Sequence, residues 1–300
     1  MKEIKSRIFS KKTDLPICEL TYLSLVDEGK DKNDINQIGL KPVRKTAHLE
    51  TYRVNTKVSK EQMSDIQKLH GMGVIDTTSM FKSVLEEESA MMQQKLIRDI
   101  ISFAGEQNYK ESYTKTQMFL HNWFGYTPKV RIKSDDQLFQ KIILFSNKIA
   151  AKSRRGPADY IIVSGGMSNR IMNLSQFVYN DPNQPNLDQG TGFIYSQGNL
   201  GGRLSVLIDP NLSYSDMRII MGSNIKEHDE GIYHVHADPV FEEFETMLDV
   251  VPSVNIVLSQ RMALIATDNA HQRYLTFEIT EKPHNIITHI VNYPPTPKAM

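Results

Sequence analysis

The chain has 300 residues, 40% of them hydrophobic, and its 35 Lys and Arg balance its 35 Asp and Glu. That length and apolar content suffice for a sizeable core or two modest lobes, and the balanced charge excludes a global field pulling the protein onto nucleic acid or an acidic membrane. The lone cysteine, Cys18, excludes an intrachain disulfide and any multi-cysteine zinc or iron–sulfur site, which suits a reducing cytoplasm or a particle assembled there.

Residues 1–12, MKEIKSRIFSKK, are charged but lead into no apolar segment and no small-residue cleavage site, so a secretory signal is not expected. Nowhere do about 18 apolar residues run together, so no membrane-spanning helix is expected either. Residues 16–26 (PICELTYLSLV) and 43–56 (VRKTAHLETYRVNT) alternate imperfectly and are rich in Thr, Tyr, Val and Leu, which predicts two extended strands. The charged stretch between them, DEGKDKNDINQIGLK, is far longer than a hairpin turn of about two to five residues. The expectation is a projecting hairpin with a polar tip, too poor in apolar surface to stand alone.

From Asp76 the spacing of Phe81, Val84, Leu85, Met91, Met92, Leu96, Ile100 and Phe103 predicts one long helix, Thr77 to Ala104, capped by Asp76, Thr77 or Thr78 and stopped by Gly105. At roughly 27 residues it would be about 40 Å long, a structural spine. A second helix follows SDDQ, where Ser134 and Gln137 form a capping box ahead of Leu138, Phe139, Ile142, Ile143, Phe145 and Ile149. Beyond the basic corner AKSRRGP the pattern turns to strands: ADYIIVS, RLSVLID, MRIIMGS, GIYHVHA, SVNIVLS, MALIATD, RYLTFEI and NIITHIVNY, with a helix at 168–178. Helix-rich first and strand-rich after, with one inserted helix, argues for an α+β fold and against a doubly wound parallel sheet.

The candidate chemistry is sparse. His234 and His236 in GIYHVHADPV share one face of a strand and are the candidate metal ligands, with Asp229, Asp238 or His228 to complete a site; on that basis a metal-dependent hydrolase is the low-weight alternative function. The preferred reading is structural, with Tyr233 and Val235 on the core side and the imidazoles facing solvent or a neighbour. The glycine-rich DQGTGFIYSQGNLGG precedes a strand where a phosphate loop needs a helix, so it reads as a mobile or tight-turning loop. Ser164 in VSGGMS lacks nucleophile-elbow spacing and belongs to a strand-to-helix turn with Ser168 as N-cap. Cys18 reads as a small buried hydrophobe, Glu86–Glu88 as a solvated or interfacial face, and Lys152, Arg154 and Arg155 as a basic helix C-terminus. No catalytic residue and no cofactor is expected.

Taken in order, VRKTAHLETYRVNT with the helix that follows it, RRGPADYIIVS, GGRLSVLIDP, DEGIYHVHADPV and SQRMALIATD resemble the major capsid (major head) protein family of T-even-type and crAss-like tailed bacteriophages. The resemblance implies the tailed-phage capsid fold of the Hong Kong ninety-seven type. Its parts would be an N-terminal arm and extended loop over 1–56, a peripheral domain with the spine helix over 57–157, an axial domain over 158–250, and C-terminal strands over 251–300 returning to the core. It implies a self-assembling, non-enzymatic subunit of hexamers and pentamers in an icosahedral head enclosing double-stranded DNA. The partners would be neighbouring copies, scaffolding and portal proteins during assembly, and packaged DNA met nonspecifically on the inner face, with no membrane. Its location would be the virion, after assembly in the host bacterial cytoplasm. A capsid vertex paralogue and an encapsulin-like shell are the nearest alternatives.

Overall fold

The computed structural model describes residues 17–30, 36–69, 77–154, 156–180, 193–223, 231–248, 251–267 and 270–280, with 17–30 and 36–42 given by backbone alone. The chain divides into two compact units, residues 1–92 with 233–265 and residues 93–232 with 266–300.

In the first unit, β1 (Ile17–Lys30) and β2 (Asn36–His48) form a two-stranded antiparallel ribbon. Its register runs from Ile17 opposite His48 to Lys30 opposite Asn36, with an irregularity between Asp27 and Gly29. The strands therefore run through most of the charged stretch expected to be connection, and what joins them, 31–35, lies outside the described residues. Asp, Glu, Lys and Gly are weak strand formers, but a backbone ladder already in register carries them along. The second predicted strand is two strands: β2 stops at His48, and β3 (Glu50–Ser59) joins a different sheet.

The hub of that sheet is β12 (Val251–Ala266), which pairs with β3, with β10 (Ile232–His236) and with β11 (Val240–Leu248). The runs SVNIVLS and MALIATD, expected as separate strands, are parts of β12. Gln260, one of the two residues between those runs, is buried and accepts a 2.8 Å hydrogen bond from Ser89 Oγ. Strand β11 was not predicted, because Glu242, Glu243 and Glu245 disfavour a strand. Two of them are met by ions: Lys82 Nζ lies 2.7 Å from Glu243 and Lys60 Nζ 2.8 Å from Glu245.

Helix α1 (Lys60–Leu69) was also not predicted, yet it opens on a reciprocal capping box: Gln62 N–H donates to Ser59 Oγ at 3.1 Å, and Ser59 N–H to Gln62 Oε1 at 3.3 Å. Helix α2 (Thr77–Lys110) begins where predicted but runs through Gly105 to reach 34 residues, about 51 Å at 1.5 Å per residue. Its first part buries Leu85, with Phe81, against Ile256, Leu258, Val254, Val54 and Phe241 of the β12 sheet.

The second unit is built on a seven-stranded mixed sheet in the order β4 (Val130–Arg131), β13 (Tyr274–Thr280), β9 (Arg218–Gly222), β5 (Tyr160–Val163), β8 (Leu204–Ile208), β7 (Tyr195–Leu200), β6 (Phe177–Tyr179). β5 runs parallel to β8 and β4 to β13; the other pairs are antiparallel. One face buries Ile161, Val163, Val206, Ile219, Met221, Leu275 and Phe277 beneath Leu138, Ile142, Phe145 and Ile149 of α4 (Asp135–Ser153) and Met167 and Ile171 of α5 (Gly165–Met172). The other face places Ile162, Ile220 and Tyr274 against Ile97, Ile101 and Ala104 of α2. A sheet covered on both faces explains why YIIV and RIIM are continuous apolar runs. The mixed sheets and segregated helices make the fold α+β, in keeping with the order read from the sequence.

The caps of this unit correct three details. Helix α3 (Lys115–Phe124), unpredicted, carries a full Thr114–Gln117 capping box and closes on Gly125 in the left-handed region. At α4, Ser134 Oγ accepts from Gln137 N–H at 3.4 Å, but Gln137 Oε1 turns instead to Lys133 N–H at 3.0 Å, so the box is half made. The helix expected over 168–178 occupies 165–172, with Ser164 as its N-cap, while Ser168 donates to Gly165 O from within the first turn. The run NIITHIVNY lies outside the described residues.

Gly105 is where helix and sheet touch. A Cβ there would sit 2.5 Å from Thr276 Oγ1 and 2.7 Å from Thr276 N. The glycine permits a close approach of α2 to β13 and does not stop the helix. If it were merely a weak helix former, Gly105→Ala would stabilise by about 1 kcal/mol; the close approach instead makes it destabilise by about 1–3 kcal/mol, read as the shift in a urea transition. The buried pair Arg98 Nη1–Asp209 Oδ2, 2.5 Å apart, ties α2 to the end of β8. Arg98 Nε and Nη2 also donate to Asp99 Oδ1, at 3.1 and 2.8 Å, so Asp209→Asn should cost less than the about 3–5 kcal/mol of a fully stranded buried charge, and the double replacement Arg98→Met with Asp209→Leu less again; denaturation of the three proteins measures the difference.

Candidate functional site

The ribbon of β1 and β2 is the first candidate. Each strand spends one backbone edge on the other, and among the described residues no third strand joins them. Fourteen residues of β1 at ~3.3 Å each span about 45 Å. A two-stranded hairpin is at best marginal in water by itself, so a ribbon of this length calls for a further surface to pack against.

The two histidines of β10 are on one face, as their spacing requires, and their rings stack with centroids 5.2 Å apart and planes inclined by 22°. They are not equivalent. His236 is exposed, whereas His234 is half-buried and its Nε2 is closed from solvent with no hydrogen-bond partner among the described residues. Of the two imidazoles expected to face solvent or a neighbour, only that of His236 is exposed. Burial, and then the neighbouring His236, lower the His234 pKa below its ordinary 6.5. His228 and Asp229, proposed as further ligands, lie outside the described residues; among those described, no group of three or more His, Cys, Asp or Glu gathers in metal-binding geometry.

The other sequence candidates serve the fold. Ser164 Oγ donates to Asp216 O at 2.6 Å and accepts from Met167 N–H at 3.2 Å, so it fastens a turn to a helix start. Of the glycine-rich segment, 188–192 lie outside the described residues; Tyr195–Leu200 are strand β7, and Gly201 and Gly202, at φ 62° and 68°, make the tight turn into β8. Lys152 Nζ bonds Asn108 Oδ1 at 2.5 Å and Glu111 at 2.8 Å, tying α4 to the end of α2. Arg154 is the left-handed C-cap of α4, Arg155 lies outside the described residues, and Glu86, Glu87 and Glu88 are all exposed. Cys18 is placed by its backbone only, opposite Ala47 in the ribbon.

The sequence reading missed a surface. On the β12 sheet, Val54, Phe241, Val254, Ile256 and Leu258 face α2, so the alternate residues face away from it. The registers set these in cross-strand rows: Arg53–Ser259–Val240 and Lys57–Asn255–Phe244, with Asn55–Val257–Glu242 between. Each flanking row passes from basic through polar to apolar. Arg53 and Lys57 are exposed, as are Val240 (55%) and Phe244 (47%), while Ser259 Oγ is buried with no hydrogen-bond partner among the described residues. The signal was present in the exposed alternation of β3 (Thr51, Arg53, Asn55, Lys57), but only the pairing with β11 reveals the apolar half.

The family described as Major capsid protein Gp23 matches residues 6–236. Among solved structures, the capsid of Ralstonia phage GP4 is similar with a TM-score of 0.51 at 8% identity, covering 91% of this chain and 86% of that one. A Microbacterium phage Oxtober96 structure gives 0.47 at 11%, covering 90% and 88%. The holo-SrpI encapsulin complex from Synechococcus elongatus PCC 7942 gives 0.42 at 10%, covering 89% and 84%. Comparison with curated proteins finds no match.

The His234 imidazole generates a prediction. Because its folded pKa lies below its unfolded value, the stability it contributes is complete above about pH 6.5 and is lost as the pH falls through the folded value. Thermal melts of the wild type should therefore decline between pH 6.5 and about pH 5 more steeply than those of His234→Gln; parallel declines would assign the slope to other groups.

Proposed function

The chain belongs to the major capsid protein Gp23 family, and from that premise we propose that it is the shell subunit of a tailed-phage head, forming hexamers and pentamers around double-stranded DNA. The family is one of structural capsid proteins, so the work of this chain is done by interfaces, and no bond is made or broken. The observation that carries the reading, beside the family, is the β1–β2 ribbon, which no third strand joins among the described residues: in this reading its support is the next subunit. Head-to-tail contacts around a five- or six-fold axis close a ring, and obligate interfaces of this kind bury roughly 2,000–5,000 Å². Balanced charge keeps such copies from repelling one another at close quarters.

In this reading 57–157 and 158–250 mark the peripheral and axial domains only approximately. The peripheral role goes to the unit holding the β12 sheet and the first part of α2, and the axial role to the unit holding the seven-stranded sheet. Scaffolding and portal proteins would attend assembly in the bacterial cytoplasm, and packaged DNA would meet the inner face through nonspecific, salt-dependent contacts.

The experiment is electron microscopy of the purified chain beside a short-ribbon variant. Replacing Asp27–Ile38 by Asn-Gly joins Val26 to Gly39, residues already opposite each other, through a two-residue turn. The wild type should form shells, tubes or capsomers, and the variant should remain dispersed with an unchanged circular dichroism spectrum. Shells of unaltered yield would remove the ribbon from the assembly contact, a strict wild-type monomer would sink the capsid reading, and pentamers alone would indicate the vertex role.

A further inference from the structure

The outward face of the β12 sheet is finished chemically but not spatially. Its rows end in two guanidinium or ammonium groups at one side, Arg53 and Lys57, and in two exposed apolar side chains at the other, Val240 and Phe244. Strands stand about 4.8 Å apart, so the basic and apolar edges are separated by about 10 Å, the width of one helix. Between them Ser259 Oγ is buried without a hydrogen-bond partner among the described residues, while Asn255, also buried, donates to Thr246 Oγ1 at 2.9 Å. A face made for solvent does not enclose an unserved hydroxyl, and a face made for nucleic acid is basic throughout, without a Val–Phe edge or the Glu242 set beside it. The pattern fits a protein surface that is apolar on one side and acidic on the other.

The same unit presents such a surface. Along α2, Phe81, Leu85 and Ser89 turn inward, leaving Met80 (44% exposed) and Val84 (47% exposed) one turn apart on the outside. Glu87 and Glu88 follow at the next turn, exposed, so the helix shows an apolar pair beside two carboxylates.

We propose that the outward face of the β12 sheet docks the exposed face of helix α2 from a second copy of this chain, with Val240 and Phe244 against Met80 and Val84, and Arg53 and Lys57 against Glu87 and Glu88. The contact is head-to-tail, since the two surfaces differ and each copy carries both, and so it propagates from copy to copy as a closing assembly requires. It repeats between copies the helix-on-sheet packing that the unit already makes within itself. The proposal rests on the shell reading and adds to it the surfaces and the chemistry of one subunit contact.

The test is a charge exchange in the full chain, followed by electron microscopy and sedimentation. Arg53→Glu with Lys57→Glu, and separately Glu87→Lys with Glu88→Lys, each set like charges face to face and should abolish assembly while leaving the melting transition in place. Combining all four restores opposite charges and should return assembly to wild-type levels, with restoration weakening at high salt. Val240→Ser with Phe244→Ser supplies a charge-independent arm and should also prevent assembly. Shells from the Arg53, Lys57 variant at normal yield overturn the proposal and leave the capsid reading standing. Failure of the fourfold variant to assemble overturns helix α2 as the partner. So does rescue of the Arg53, Lys57 variant by reversing Asp27 and Glu28, which would give the face to a neighbour's ribbon. Shells that assemble but no longer retain DNA would give it to the genome. A wild-type chain that never assembles overturns the shell reading and this contact together.

Discussion

Strand β12 uses both of its backbone edges. Between Ser253 and Ser259 it pairs with β3 on one side and β11 on the other, and its last residues take in β10. Every N–H and C=O of a strand needs a partner, and an unpaired edge is an open offer to another chain. Over Ser253–Ser259 β12 makes no such offer, and β3, distant in sequence, is held in one sheet with β11 because of it. The ribbon is the contrary case, since among the described residues β1 and β2 pair only with each other. The contrast separates a sheet whose central strand is paired on both edges from a ribbon whose outer edges are open to further pairing.

Much of this was legible, in a physically ordered way. The long helix, the α+β order and most strands of the seven-stranded sheet announce themselves because their signals are local: apolar spacing near 3.6, or short apolar runs between Gly, Asp and Pro. What failed depended on partners distant in sequence. Gly105 has the look of a stop signal, and only the approach of Thr276 shows that it is a contact. The glutamates of β11 argue against a strand until Lys82 and Lys60 are found beside them. His234 reads as solvent-facing until its Nε2 is found closed off. Helices α1 and α3 are different, because Ser59–Gln62 and Thr114–Gln117 are local capping boxes of the same pattern as Ser134–Gln137 and were available to sequence reasoning.

The equality of 35 basic and 35 acidic residues conceals a division of labour. One set of charges is paired within the chain: Arg98 on Asp209 in the interior, Arg218 on Asp216 through bonds of 2.6–3.0 Å, and Lys152 on Glu111 at the surface. The Asp216 carboxyl is held below its ordinary range by hydrogen bonds from Arg218, although burial opposes the shift, so it stays ionised and keeps its end of β9 fixed. Another set lies on surfaces that face away from the core, Arg53 and Lys57 on the sheet and Glu86 to Glu88 on the helix. In the first unit, basic residues on the sheet and acidic residues on the helix thus stand on separate surfaces.

Such an arrangement suits a subunit that must join others many times over. Two exposed ion pairs contribute little individually, about 0–1 kcal/mol each, and two apolar contacts add only a few kcal/mol. A single docking of this kind is reversible, which lets a misplaced copy leave. Once a ring closes, each copy is held by two such faces and by its ribbon, and the contacts reinforce one another through effective concentration without any one of them having to be strong. The rigid parts of the fold, the doubly covered sheet and the buried Arg98–Asp209 pair, have a role here as well. They hold the layers of the second unit in one arrangement, as the packing of Leu85 and Phe81 on the β12 sheet does in the first, and a head-to-tail assembly closes as a ring only where the subunit repeats one geometry from copy to copy.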